Sequence, residues 1–316
     1  MDSKTRAACP TVEVKDGSKE RKKFAVSDNL FALLLLLPAA LTLIMVVGMP
    51  ILKGIWVSFC DYTIANLDAP VWNNFANYRA VFKNGKILTY FSTTLIYVGL
   101  AVGIQFVLGL ALALLLNTNV KGRGLFRGLF LIPWTIPSVV VAILFRWMFH
   151  QQFGVINYLL HLFGLTDTVN IAWTQQPFLA MLLVVMAAVW RQLPYMMVMI
   201  LAALQSVDRT LIEAARIDGA GAGHILWNIT LPSIKPVAST AVWLAVLSNF
   251  QMFTIVYNMT GGGPVDATTT LGIAAYRTAF QAYNFGEGST IGVLWMLVLL
   301  AGTLAYNYLN ERSINN

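Results

Sequence analysis

Glu213-Ala-Ala-Arg-Ile-Asp-Gly219, followed after nine residues by Ile229-Thr-Leu-Pro232, is a polar and punctuated stretch between two long apolar runs. Asp208 is placed to cap a first short helix, and Gly219 to Gly223 supply a turn. Ile225 to Ile229 form a second short helix, which Pro232 ends, with Pro236 just beyond. Ala214, Ala215, Ala220 and Ala222 are small, so the backbone of another protein can approach closely, while Glu213 offers a charge for pairing. Such an element can carry a push from a partner into the apolar run that comes after it.

The runs on either side decide the class. A helix that crosses about 30 Å of hydrocarbon needs about 20 largely apolar residues. Between Asp28 and Lys53 lie 24 uncharged residues, between Lys86 and Lys121 34, and between Arg127 and Arg146 18. Beyond the punctuated stretch, Lys235 to Asp266 encloses 30 and Glu287 to Glu311 encloses 23. The run from about Pro177 to Leu204 is interrupted only by Arg191. Six spans are therefore expected. Composition agrees, since 58% of the 316 residues are hydrophobic and 11% are charged, against about 25% charged in soluble chains. The first apolar run starts at Leu30 and is too long for the core of a cleaved signal peptide, so none is expected.

The 21 Lys and Arg residues orient the spans, because cytoplasmic segments near membrane helices are enriched in them. With the N-terminus inside, 14 fall in inner segments, six in outer ones, and Arg191 within the membrane. Both termini are then cytoplasmic, and so is the Glu213 loop, between the fourth and fifth spans. The net charge of +7 needs no nucleic acid; the basic run Lys19 to Lys23 reads as a topology signal beside anionic lipid. Residues 1–28 read as a disordered cytoplasmic tail and residues 29–316 as one membrane domain. In the outer loop from about Cys60 to Thr89, Phe75, Tyr78 and Phe82 recur at helical spacing, which predicts an interfacial helix. A second such helix is expected over Ala267 to Tyr283, after the Gly261 to Pro264 turn, and a turn over Asn284 to Ser289 before the last span.

The Glu-Ala-Ala, Gly and Ile-x-Leu-Pro positions resemble the EAA loop of binding-protein-dependent ABC importer permeases. Ser58-Phe59, Asn74-Phe75 to Asn77-Tyr78, Trp190 with Pro194-Tyr195, and Thr260-Gly-Gly-Gly-Pro264 resemble its carbohydrate, maltose-type branch, in the form of the larger permease subunit without its extra N-terminal helices. The resemblance implies that Glu213, Ala214, Ala215, Asp218, Gly219 and Ala220 couple to a cytoplasmic ATPase. No Gly-x-x-x-x-Gly-Lys-Ser/Thr phosphate loop occurs in the sequence, so this chain carries no cofactor, and ATP and magnesium belong to separate ATPase subunits. Two such subunits, a second and different permease, and an extracytoplasmic solute-binding protein are the implied partners, in a bacterial or archaeal cytoplasmic membrane.

A sugar path needs amides, hydroxyls and aromatic faces. In the fourth span Trp190, Arg191, Gln192 and Tyr195 cluster around Pro194, and in the fifth Asn249, Gln251 and Tyr257 stand amid apolar residues. By resemblance, Gln192, Tyr195 and Asn249 match sugar-contacting positions; Met252 and Ala245 replace residues that contact sugar in the maltose permease. A helix-bonding role is the alternative for Asn249, Gln251 and Gln105. Arg191, which costs about 2.5 to 3.5 kcal/mol to insert mid-span, either meets an anionic substrate or bonds carbonyls freed by Pro194. The sequence reads best as an all-α permease subunit that moves an oligosaccharide by alternating access. A membrane enzyme such as a lipid-linked transferase is the rival, and it lacks any cluster of carboxylates, His-Glu-x-x-His set or Ser-His pair. His150 and His161 lie in an outer loop without carboxylate or Cys partners for a metal, and His224, in the coupling segment, is expected to face solvent rather than the ATPase.

Overall fold

A computed structural model describes residues 28–66, 70–118, 121–168 and 170–315. The proposed tail, residues 1–27, and the basic run within it lie outside the described residues. The chain divides at Ile51/Leu52 into two units. The first holds helix α1 (Asp28–Leu43), a π-helical turn at Ile44–Gly48 and the start of α2 (Met49–Ser58), so that the apolar stretch Phe31–Ser58 is helical throughout.

The second unit continues through a two-residue hairpin, β1 (Cys60–Asp61) antiparallel to β2 (Val71–Trp72), and α3 (Ala76–Lys83). It then runs through α4 (Lys86–Asn117), α5 (Arg123–Thr135), α6 (Ser138–Met148), α7 (Val155–Leu162) and α8 (Pro177–Gln205). Two short helices, α9 (Arg209–Ile217) and α10 (Ala222–Ile225), lead to α11 (Leu231–Phe250). The chain ends with α12 (Phe253–Thr260), α13 (Leu271–Tyr276) and α14 (Phe285–Asn315). Among the described residues, five helices are long and apolar enough to cross a membrane, and six spans result if the α5–α6 pair counts as one.

α8 is the centre of the unit because it is apolar nearly all round, and an all-apolar helix has no face that gains from water. Leu183, Val184, Ala187, Ala188, Met196 and Ile200 are buried. α4 lies along it at close range. A Cβ on Gly109 of α4 would meet Met196 Cγ at 2.7 Å, so glycine is what admits α8 at this crossing. Gln105, one turn earlier, is wholly buried and joins three helices: its Nε2 donates to Ala188 O of α8 at 3.5 Å, and its Oε1 accepts from Asn249 Nδ2 of α11 at 3.3 Å.

Four local expectations are corrected. The third span is not one helix: α5 and α6 meet at 94° across Ile136–Pro137. Ile136 has extended dihedrals, φ −75° and ψ 131°, as the residue before a proline prefers. Pro232 does not end a short helix. It stands in the first turn of α11, entered through a π-helical turn at Leu226–Thr230, whose wider loop spares the carbonyl that the proline ring would strike. The fifth span stops at Phe250, so Tyr257 belongs to α12. Phe285 to Ser289 are the first turn of α14, capped by Asn284, whose Oδ1 accepts from Glu287 N at 3.0 Å. Pro194 leaves α8 a single helix of 29 residues.

The expected helix near Phe75 to Phe82 forms as α3, and its motif residues fasten the hairpin to α14. Asn77 Nδ2 donates to Ser58 O at 3.0 Å and to Cys60 O at 2.8 Å. Thr290 Oγ1 of α14 donates to the same Ser58 carbonyl at 3.1 Å, and Ser58 Oγ and Tyr78 Oη share a bond of 2.9 Å. Phe59 stacks on Trp72 and meets Phe75 edge-on.

Candidate functional site

The stretch around Glu213 forms a helical hairpin. Asp208 caps α9 by accepting from Thr210 N at 2.8 Å, and that hydrogen bond holds its carboxyl below the usual carboxylate range. Gly219 adopts φ +82°, a left-handed conformation in which a β-carbon is strained, and reverses the chain after α9. Asp218 N donates to Ala214 O, Gly219 N to Arg216 O, and Ala220 N to Ala215 O at 2.9 Å, so the last carbonyls of α9 are satisfied within the turn. No residue of α9 is buried. Glu213, Ala214, Asp218 and Gly219 are exposed, Ala215 and Ala220 half-buried, and Ile217 is 87% exposed. On the side facing the body, Glu213, Arg209 and Arg216 line a groove of about 380 Å³ with the ends of α4 and α8. A helix this short, with its apolar Ile217 and Leu211 uncovered, is marginal alone.

At the middle of α8, the residues expected on the substrate path meet the broken third span. Arg191 Nε donates to Ile136 O at 3.3 Å. Trp134 and Tyr195 rings stand 6.1 Å apart, and Phe145 and Trp190 rings 5.8 Å apart. The guanidinium thus sits at the C-terminal end of α5, where unpaired carbonyls and the helix dipole favour a cation. Its observed partner is the Ile136 carbonyl, left open by the break between α5 and α6, rather than one freed by Pro194. Gln192 is buried and Tyr195 half-buried. Asn249 is 1% exposed, with Nδ2 bonded to Gln105 and to Ala245 O at 2.8 Å, whereas Gln251, at the C-cap of α11, is exposed. The structure joins the first group to α5–α6 and Asn249 to Gln105; among the described residues no hydrogen bond links the two groups directly. Trp134, Ile136 and Pro137 are site residues that sequence reasoning misses, although Pro133-x-x-x-Pro137 is a signal for them.

Behind α12, the glycine-rich turn is tied to α13. Asp266 pairs with Arg277 at 2.9 Å and with Lys86 at 3.5 Å. Burial pushes the Asp266 carboxyl up, but the Thr269 hydroxyl and the two cations outweigh it and hold the carboxyl below its usual range. Among the described residues, no group of three or more His, Cys, Asp or Glu side chains could hold a metal ion.

Residues 105–315, two thirds of the chain and all of it from Gln105 through α14, match the profile of the binding-protein-dependent transport system inner membrane component family. The chain belongs to that family. The trehalose/maltose transport system permease protein MalF of Thermococcus litoralis is 32% identical over 86% of this chain and 91% of its own length. The sulfoquinovosyl glycerol transport system permease protein SmoG of Agrobacterium fabrum is 33% identical, with 89% and 90% covered. A bacterial alginate ABC transporter, solved with an alginate-pentasaccharide-bound periplasmic protein, superposes with a TM-score of 0.77 at 21% identity, over 90% of this chain and 95% of that one. That likeness shows the shared fold. The chain is thus a multi-pass inner-membrane permease subunit of an ABC transporter; it is no enzyme, and its ATPase is a separate subunit.

Proposed function

We propose that the chain is one half of the pore of an importer for an oligosaccharide, paired in a cytoplasmic membrane with a second, different permease, two ATPase subunits and an extracytoplasmic binding protein. In this reading both termini and the α9–α10 hairpin face the cytoplasm. ATP-driven closure of the ATPases moves the hairpin, and α11 transmits the movement because the helix runs on from α10 through the π turn without a break. The binding protein releases sugar into the opened cavity, and hydrolysis returns the pore to its inward-facing state. The relatives named for a trehalose/maltose system and for sulfoquinovosyl glycerol support a glycoside as cargo.

The observation that carries this reading is the hairpin itself, a capped helix with no buried residue and an uncovered Ile217, built on the Glu-Ala-Ala spacing. A surface of that kind needs a protein partner to cover it. Changing Glu213 to Lys tests it in the reconstituted complex. Binding-protein-stimulated ATP hydrolysis and uptake should fall at least about tenfold, about 1.4 kcal/mol in coupling, while the chain still inserts. Undiminished uptake would remove the hairpin from the coupling path.

A further inference from the structure

Two clefts open at the end of α8 remote from the hairpin, and they share one side chain. The first, about 420 Å³, is walled by Arg146, Tyr257, Asn258, Thr260, Arg277 and Gln281. Arg146, His150, Gln151, Trp173, Thr174 and Gln175 wall the second, about 320 Å³. Trp173 to Gln175 immediately precede α8, and the hairpin comes directly after it, so the 29 residues of that helix, about 43 Å at 1.5 Å per residue, separate the clefts from the coupling end. If the hairpin is cytoplasmic, the clefts face the outside. This inference rests on the importer reading.

The chemistry of the walls is that of a saccharide site. Amides and hydroxyls dominate, and one aromatic face stands on each side of Arg146: Tyr257 in the first cleft, Trp173 in the second. Both faces are held. Trp173 Nε1 donates to Asn157 Oδ1 at 2.6 Å and its ring packs edge-on against Phe149, while Tyr257 stacks on Phe253 and its hydroxyl accepts from Gln281 Nε2 at 3.4 Å. Gln175 and Gln151 are bonded at 3.0 Å. Each cleft falls in the range of small-ligand sites, and together they suit two sugar units astride Arg146.

Charge narrows the class. Arg277 is matched by Asp266 at 2.9 Å and also donates to Gly261 O. Arg146, in the last turn of α6, has no carboxylate partner among the described residues, and none of the residues lining either cleft is acidic. A planar guanidinium with free donors between two sugar-sized clefts matches a carboxylate, sulfonate or phosphate substituent. We propose that the clefts meeting at Arg146 form an outer subsite that receives an acidic oligosaccharide before it reaches the mid-span residues, with Arg146 bonding the anionic substituent. The nearest alternative occupant of the same chemistry is an anionic lipid headgroup.

The test uses the full complex in phosphatidylcholine nanodiscs without binding protein, titrated calorimetrically with trigalacturonate and with maltotriose as probes. Trigalacturonate should bind saturably, Arg146→Gln should weaken it about tenfold or more, as loss of a charge-assisted bond requires, and Arg146→Lys should weaken it less. Maltotriose should bind all three proteins alike. Trigalacturonate affinity that is absent or insensitive to Arg146→Gln, or an equal loss for maltotriose, overturns the subsite. Retention of phosphatidylglycerol that depends on Arg146, with no trigalacturonate binding, assigns the guanidinium to lipid instead and also overturns it. Binding-protein-stimulated ATP hydrolysis on the same nanodiscs separates the two levels: if it is present while Arg146-dependent binding is absent, only the subsite falls, and if it is absent the importer reading falls.

Discussion

The α10–α11 junction and the α5–α6 junction both place a proline in an apolar helical stretch, and they resolve it in opposite ways. At Pro232 the helix continues into α11; at Pro137 the chain turns through 94°. The difference lies in what happens to the backbone carbonyls just before the proline. Before Pro232, the π turn Leu226–Thr230 takes up one extra residue, with Leu231 N donating to Leu226 O, and the ladder resumes. The same offset recurs in the first unit, where the π turn Ile44–Gly48 ends two residues before Pro50. Before Pro137 there is no such turn. α5 closes at Thr135, and Arg191 reaches across from α8 to take the Ile136 carbonyl. At these two junctions the span breaks where Arg191 of another helix takes the open carbonyl and continues where a π turn precedes the proline, whereas Pro38, Pro133, Pro194 and Pro236 lie inside continuous α-helices.

That contrast is most directly broken at Arg191. Replacing it with Met leaves the Ile136 carbonyl without a donor in the interior, which should destabilise the detergent-solubilised protein by about 1 to 3 kcal/mol, read as a lowered unfolding midpoint. Arg191→Lys, which keeps the charge at the end of α5, should recover part of the loss. A Met variant as stable as the wild type would show that the break stands without the arginine.

The next effect belongs to the hairpin, which among the described residues has no donor from another helix and depends on its own ends. Asp208→Ala removes the acceptor for Thr210 N and should cost about 1 kcal/mol, confined to α9. Amide exchange at Thr210 and Leu211 should quicken with α8 unchanged; equal protection in both proteins would mean that the cap does not hold the hairpin. A third punctuated segment, Gly261 to Thr270, is held by charge instead, through Asp266, Arg277 and Lys86. Because the Asp266 carboxyl is depressed when folded, its contribution is present above the ordinary carboxylate value of about 3.9 and is lost as pH falls below it. Exchange across this loop should therefore be flat from neutral pH to about 5 and rise only below about 4, once the intrinsic pH dependence of exchange is removed; a rise near pH 6 would point to another group.

The sequence makes some of this legible and hides the rest for a physical reason. Apolar run length and helical spacing are one-dimensional properties, so the long apolar helices and α3 can be read directly, as can the Asp208 cap and the Gly219 turn, which act within a few residues. The α5–α6 break has a local signal in Pro133-x-x-x-Pro137, but the side chain that bonds the open Ile136 carbonyl, Arg191, lies 55 residues away, and no local pattern contains that pairing. The roles of Asn249 and Gln105 stay open in the sequence for the same cause: an amide amid apolar residues reads alike whether it lines a cavity or bonds a helix 144 positions distant.

Pro232 supplies the smallest and sharpest effect. If the π turn exists to let the proline pass, Pro232→Ala restores an N–H and removes the ring clash, so the turn is free to relax into regular α-helix. The gain in helix propensity should then be nearly offset by the loss of the proline's rigidity in the unfolded chain, leaving stability within about 0.5 kcal/mol of wild type. The structural change is larger than the energetic one. Removing a π turn rotates the helix before it by about 100° per residue relative to the helix after it, so α9 and α10 would be re-aimed about the α11 axis while α11 keeps its place. Spin-label distances from α9 to the end of α4 would report that rotation, and ATPase coupling should suffer although folding does not. Distances identical to wild type would mean that the π turn is held by its own packing, with Ile225 and Thr230 buried at its two ends, and that the proline merely occupies a helix start already made for other reasons.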